Sequence, residues 1–208
     1  MTARLMLATG NEHKVREMRE LLADLDVEVA HIGELDEPPE LTETGETFAE
    51  NAREKALGCA RATGELCLAD DSGLMVDALG GDPGVRSARY AGEGSTQQAL
   101  IDRLLRELEG VEPAGRTGRF VCALSLCGPE GEVGRWEGTV EGVITLHPRG
   151  EGGFGYDPVF YYPPADMTFA EMTPEAKNAV SHRGRALAKF RTDLPETLRR
   201  RTLRGRGG

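Results

Sequence analysis

The chain is short of several things, and each shortage excludes a class of protein. No apolar run approaches the roughly 20 residues that a membrane-spanning helix needs. The first residues, MTARLML, enter an apolar segment at once. They lack the long apolar stretch and small-residue cleavage site of a signal peptide, so a cytoplasmic location is expected. Only four cysteines occur, at positions 59, 67, 122 and 127. None forms a Cys-x-x-Cys, and no histidine spacing completes a zinc pattern, so buried reduced thiols are expected. Bases are too few to balance the acids. The whole chain carries −10 and its last 14 residues +4, which leaves −14 on the rest. An acidic body argues against broad binding to a nucleic-acid backbone, but a small phosphorylated ligand needs only local donors and a cation. The Walker A loop, the Rossmann Gly-x-Gly-x-x-Gly and the Gly-x-Ser-x-Gly nucleophile elbow are all missing.

What is present suits a soluble globular protein. The 208 residues are 39% hydrophobic and 29% charged, enough to bury a core without disulfides. Residues 1–194 read as one domain, with room for two lobes, and residues 195–208 as an Arg-rich, disordered tail. Short apolar strands are expected at 4–8, 27–32 and 66–69, with an amphipathic helix after the first and a capped helix from Thr47 to about residue 62. A third helix is expected over 96–108. Strands at 120–127 and 134–141 flank Gly128-Pro129-Glu130-Gly131 as a hairpin. Further strands are expected at 143–146 and 159–162. Thr173-Pro174-Glu175 starts another helix, and more helix follows Ser181. Helices and strands alternate early and a hairpin comes later, which predicts an α/β fold with a mixed, twisted β-sheet flanked by helices.

Chemistry can gather at six places. Thr9, Gly10, Asn11, Glu12, His13 and Lys14 lie between a strand and a helix, where N–H groups and a first-turn lysine attract anions; a plain capped turn is the competing reading. Asp70 and Asp71 end the strand 66–69, and Ser72-Gly73 reads as a turn. Neighbouring strand residues face opposite ways. One carboxylate therefore reaches a site, where it can hold Mg²⁺, and the other supports the turn. Glu43, in the acidic loop 33–46, can supply a second metal ligand. Asn51 and Lys55 share a helix face and can reach phosphates. In residues 149–155, read as a flexible loop, Phe154 lies between glycines as a surface for a flat ring. Asp157, just after that loop, can accept hydrogen bonds from a base. Lys177, His182 and Arg183 add donors for phosphate or carbonyl oxygens. Together these suit a nucleoside triphosphate better than any one of them does.

The segments LATGNEHKVREM, ETGETFAENAREKA, ADDSGLMVDALGGDPGVRSARYAG, GGFGYDPVF and KNAVSHRG, spanning Leu7 to Gly184, resemble the non-canonical purine nucleoside triphosphate pyrophosphatases, the inosine/xanthosine triphosphatase family. The resemblance implies a homodimer of two-lobed subunits with a central active-site cleft. It implies Mg²⁺-dependent hydrolysis of ITP, dITP and XTP to the monophosphate and pyrophosphate, which cleanses the nucleotide pool. By motif, Thr9 through Lys14 bind the triphosphate, Asp71 is the metal-linked proton acceptor, and Ser72 touches substrate; Lys55, by its place on the helix, is expected to offset charge on the leaving group. Phe154, Gly155, Tyr156, Asp157, Lys177, His182 and Arg183 hold the nucleotide, chiefly its base. Glu43 lies where an acidic metal ligand can come from. Glu12 and His13 are larger than the residues usual there. The alternatives are a phosphatase that releases orthophosphate and a nucleotide sensor without catalysis. Neither nucleic acid nor membrane is an expected partner.

Overall fold

The computed structural model describes residues 3–25 and 27–204, and the side chains of 4–25 and 27–197. Seven strands form one sheet: β1 (Ala3–Leu7), β2 (Val27–His31), β3 (Leu66–Val76), β4 (Thr117–Gly128), β5 (Gly131–Ile144), β6 (Phe160–Tyr162) and β7 (Met167–Thr168). Their order is β2-β1-β3-β4-β5-β6-β7. The helices are α1 (Glu12–Leu22), α2 (Phe48–Thr63), α3 (Gln97–Glu107), α4 (Pro174–Val180) and α5 (His182–Arg204). β1 runs parallel to both β2 and β3. β5, β6 and β7 pair antiparallel in turn. Only Pro129 and Glu130 connect β4 to β5, a link that permits only an antiparallel hairpin. The sheet is therefore mixed, and the α/β expectation holds.

The chain from β1 through α1 goes to one side, and α2 brings it back to the other. The first three strands thus change direction of winding at β1, and in open α/β sheets ligands collect at the carboxyl ends of strands beside such a point. Thr9–Lys14 follow β1 there, and Asp70–Asp71 lie on β3 just past its pairing with β1, which ends at Leu7↔Leu68.

By its contacts the chain divides into two compact units. One holds Met1–Asp71, Cys122–Gly138 and Arg185–Gly208; the other holds Ser72–Val121 and Thr139–Gly184. The first unit buries residues on both faces of its strands. Leu5, Leu7, Leu68, Cys122, Leu124 and Leu126 pack with Val15 and Met18 of α1 and with Leu187 and Phe190 of α5. The alternate residues Met6, Ala8, Cys67 and Ala69 pack with Ala56, Cys59 and Ala60 of α2. The second unit has its own core around Leu74, Leu104, Phe120, Tyr156, Phe160 and Phe169. Among the described residues no helix is long and apolar enough to cross a membrane.

Three expectations need correction. β3 does not stop at the acidic pair; it runs on through Ser72-Gly73 to Val76, because β4 is long enough to keep it paired on its other side. The strand expected at 143–146 is the end of β5. Residues 195–204 are helix, continuous with α5 through Arg204, with Pro195 inside it; residues 205–208 lie outside the described ones. Arginine and leucine are good helix formers, and extending a helix that already exists avoids the unfavourable nucleation step.

Where α4 gives way to α5, Gly184 leaves no room for a side chain: a Cβ there would lie 1.8 Å from the Asn178 carbonyl oxygen. Its N–H meets Ser181 Oγ at 3.1 Å. Gly184→Ala is expected to destabilise the fold by about 1–3 kcal/mol through overpacking, read as a lower urea midpoint at unchanged slope. An unchanged midpoint would refute this account of the junction.

Candidate active site

The period of a strand sets the layout of the first unit. Leu66, Leu68 and Asp70 point to the α1 side of β3, and Cys67, Ala69 and Asp71 to the α2 side. Each helix layer therefore meets one carboxylate, and each answers it with a lysine. From α1, Lys14 Nζ lies 2.5 Å from Asp70 Oδ1. The Asp70 side chain has no exposed surface, and Cys122 Sγ donates to its Oδ2 at 3.0 Å. From α2, Lys55 Nζ lies 2.9 Å from Asp71 Oδ1. Asn51, one turn earlier on the same face, donates from Nδ2 to Asp71 Oδ2 at 3.2 Å.

Both lysines also donate to the backbone carbonyl of Asp70, Lys55 at 3.0 Å and Lys14 at 3.4 Å. β1 has ended by this point, so the ammonium groups take the place of the strand that would have paired with that carbonyl. Lys55 makes one more contact, to Glu43 Oε1 at 2.8 Å. The acidic loop holds Glu43 there by docking on α2. Thr44 bonds Glu54, Gly45 N–H donates to Asn51 Oδ1 at 2.8 Å, and the N–H groups of Glu46 and Thr47 both go to Glu50. The expected capping box of Thr47 and Glu50 is part of this docking.

Burial pushes the Asp71 carboxyl above the usual carboxylate range, and the Lys55 charge opposes it. Burial works against the Lys55 ammonium, but Asp71 and Glu43 outweigh it and hold its pKa above the ordinary lysine value. Lys55 thus keeps its charge. Glu43 and Asp71 converge on one cationic point. Among the described residues no three His, Cys, Asp or Glu side chains form a ready metal cage. Two convergent carboxylates suit Mg²⁺, which takes its remaining ligands from phosphate and water.

Asn11, not Thr9, caps α1. Its side-chain oxygen accepts from the N–H groups of His13 and Lys14 at 3.0 and 3.3 Å. Thr9 Oγ1 accepts from Asn11 N–H at 3.2 Å. Gly10, Glu12 and His13 are exposed, so the larger residues at 12 and 13 point no bulk into the core.

The second unit carries the aromatic set. Phe154 is half-buried, with Lys177 Nζ 4.7 Å and Arg183 Cζ 5.8 Å from its ring centroid. Asp157 Oδ2 accepts from Phe154 N–H and from Lys177 Nζ, each at 2.8 Å. Gly153 permits this; its φ is +70° and a Cβ would sit 2.1 Å from Asp157 Oδ2. Arg183 is buried, and its Nη2 donates to Ser72 Oγ at 3.0 Å. His182 stacks on Phe120 at 4.7 Å. Gly155, with φ +62°, is half-buried beside Phe154.

The sequence-predicted residues thus form two groups. Lys14, Glu43, Asn51, Lys55 and Asp71 meet in the first unit; Ser72, Phe154, Asp157, Lys177 and Arg183 meet in the second. Tyr156 does not join the second group by its side chain. It is buried in the core and its hydroxyl donates to the Ser87 carbonyl at 2.9 Å. Sequence reasoning missed Cys122 as a partner of Asp70; its only signal is the period-two register it shares with Leu124 and Leu126.

The model of the Ham1 family matches residues 5–193. A dITP/XTP pyrophosphatase of Desulforamulus reducens is 53% identical over 186 residues, 89% of this chain and 92% of its own length. That of Bacillus subtilis is 49% identical over 185 residues, 89% of this chain and 93% of its own. Among solved structures, a HAM1 protein from Coxiella burnetii superposes with a TM-score of 0.86 at 43% identity, covering 93% of this chain and 99% of that one.

The ion pair on the α1 side makes a stability prediction. Lys14→Met leaves Asp70 buried beside a thiol with its ammonium gone, and breaking a buried pair costs about 3–5 kcal/mol. Lys14→Met/Asp70→Asn is expected to recover most of that loss. Urea unfolding of the two variants checks it, and equal losses in both would show that the pair is not the source.

Proposed function

The chain belongs to the Ham1 family, and from that premise we propose that it hydrolyses the non-canonical purine nucleoside triphosphates ITP, dITP and XTP to the monophosphate and pyrophosphate. The observation that carries this reading is the cluster of buried Asp71, Lys55 and Asn51 with the exposed Glu43 at its rim. It joins a proton acceptor to an ammonium group and to a second carboxylate.

Water attacks the α-phosphorus and pyrophosphate leaves. Asp71 takes the proton of that water; its raised pKa makes it a better base than an ordinary aspartate. Asn51 and Lys55, one on each carboxylate oxygen, fix its orientation. Lys14 and Lys55 offset negative charge on the phosphates. Glu43 and Asp71 would hold Mg²⁺, which when bound neutralises phosphate charge and acidifies water. The helix start at Thr9 through Lys14 faces the triphosphate.

In the second unit Phe154 offers a ring for the purine to stack on, and Lys177, His182 and Arg183 supply donors around it. Hypoxanthine and xanthine carry an oxygen at position 6, where adenine carries an amino group. Donors there favour the oxygen, and a polar mismatch of this kind can discriminate by orders of magnitude. The enzyme works as a cytoplasmic homodimer, and its task is to clear deaminated purines before they are used.

Quantifying pyrophosphate and orthophosphate from ITP, dITP, XTP, GTP and ATP with Mg²⁺ tests the reaction. Pyrophosphate from the first three, with little from the last two, is expected; orthophosphate as the sole product would overturn the reading. Asp71→Asn should lower turnover by about 10²–10⁴-fold while circular dichroism stays native. Lys55→Met tests the electrostatics. Removing the ammonium leaves burial of Asp71 opposed chiefly by the more distant Lys14 charge, so its pKa rises further. The acid limb of the kcat/KM profile is then expected at higher pH, with activity lost first at low pH. An acid limb that stays put or moves down would contradict the coupling.

A further inference from the structure

Two cysteines lie directly behind the lysine–aspartate contact. Asn51, Lys55 and Cys59 follow one another at four-residue intervals on the face of α2 that meets β3. Cys67, Ala69 and Asp71 alternate along the face of β3 that meets α2. The helix and the strand therefore present matching rows: Cys59 opposite Cys67, and Lys55 opposite Asp71. The sulfurs of Cys59 and Cys67 are 2.8 Å apart. Both side chains are fully buried, among Ala56, Ala60 and Ala69. The residues around them are small and apolar, and Thr63 Oγ1 is 3.5 Å from Cys67 Sγ.

Buried reduced thiols that serve only as packing need no such approach. Cys122 and Cys127 show the contrast: one donates to Asp70, and the other's sulfur lies 3.6 Å from Ser125 Oγ. Only Cys59 and Cys67, among the described residues, meet sulfur to sulfur. We propose that Cys59 and Cys67 are a redox modification site, forming a reversible disulfide that ties α2 to β3 behind the Lys55–Asp71 contact. The two sit on different secondary elements joined only by the turn at Gly64 and Glu65. A bond of about 2.05 Å needs the sulfurs to close by less than one ångström.

The oxidant is a peroxide, small enough to enter a buried site during local opening. The Cys67 thiolate attacks one peroxide oxygen; the O–O bond breaks, water leaves, and Cys67 becomes a sulfenic acid. Cys59 sulfur then attacks Cys67 sulfur, the S–O bond breaks, and a second water leaves as the disulfide forms. Two thiols and one hydrogen peroxide give one disulfide and two waters. Sharing a proton with Cys59 holds the Cys67 thiol below the usual cysteine range, while the same sharing and burial push Cys59 up. That difference marks Cys67 as the sulfur that reacts first with the oxidant. A dithiol reductant reverses the reaction.

The test treats the folded full-length protein with hydrogen peroxide, quenches it with an alkylating agent in denaturant, and maps the peptides by mass spectrometry. Four alkylated thiols are expected in the reduced chain. Two are expected after peroxide, with a loss of about 2 Da per chain and a crosslinked peptide pair containing Cys59 and Cys67. Dithiothreitol should restore four. Cys122→Ala should leave the crosslink intact, which keeps the test sound if a Cys59 or Cys67 variant fails to fold. Four thiols after peroxide, irreversible sulfinic acid at Cys67, or a crosslink through Cys122 or Cys127 would each overturn the assignment.

Discussion

Two carboxylates buried on opposite faces of one strand are tolerable only because an ammonium group meets each of them. Desolvating a lone carboxylate costs several kcal/mol even after relaxation, so Asp70 without Lys14, or Asp71 without Lys55, would stay buried only at a large cost in stability. The two lysines come from the two helix layers, and both close on the Asp70 carbonyl as well. That shared acceptor lies where β1 stops and β3 continues. The position of β1's end, the register of β3 and the start of α1 are thus parts of one arrangement. Moving β3 by one residue would exchange the two faces and leave one of the two lysines opposite Ala69 or Ser72 instead of a carboxylate.

Asn51 and the acidic loop extend the same logic outward. A loop of like charges ought to repel itself into solvent. Here its N–H groups are taken by Glu50, Asn51 and Glu54 of α2, and its carboxylate at position 43 is drawn in by Lys55. The loop is ordered by the helix that follows it, and Glu43 is thereby presented beside Asp71. The cysteines behind this group sit on the same two faces, so a bond between them would act on elements that already carry the chemistry.

Much of this is readable from local patterns. The alternation of apolar residues in 4–8 and 66–69, the Thr47–Glu50 capping box and the strand–turn–helix setting of Asn11 all follow from periods and caps that a few residues define. The opposed faces of Asp70 and Asp71 follow from the strand period alone. What escaped depends on distant partners. Ser72-Gly73 has turn chemistry, yet β4 holds it in a strand, and that pairing is decided some 45 residues later. That Lys55 meets Glu43 and Asp71 shows in no local pattern, because those partners lie 12 and 16 positions away. Tyr156 sits in a motif of ligand-like residues but reaches Ser87, 69 positions earlier. The arginines of residues 199–204 read as disordered by composition, although they continue a helix begun at His182.

The segment Gly152-Gly153-Phe154-Gly155 looks like a spacer, interchangeable with any other glycine-rich stretch. The carboxylate of Asp157 occupies the space where a Cβ of residue 153 would stand, and that carboxylate pins both the Phe154 backbone and the Lys177 ammonium. Glycine stands at 153 because the place is crowded, and at 155 because the backbone takes a positive φ of +62° there, not because the segment is loose. Tolerance to substitution should therefore run opposite to apparent complexity: the plainest four letters of the sequence are among those with the least freedom to drift.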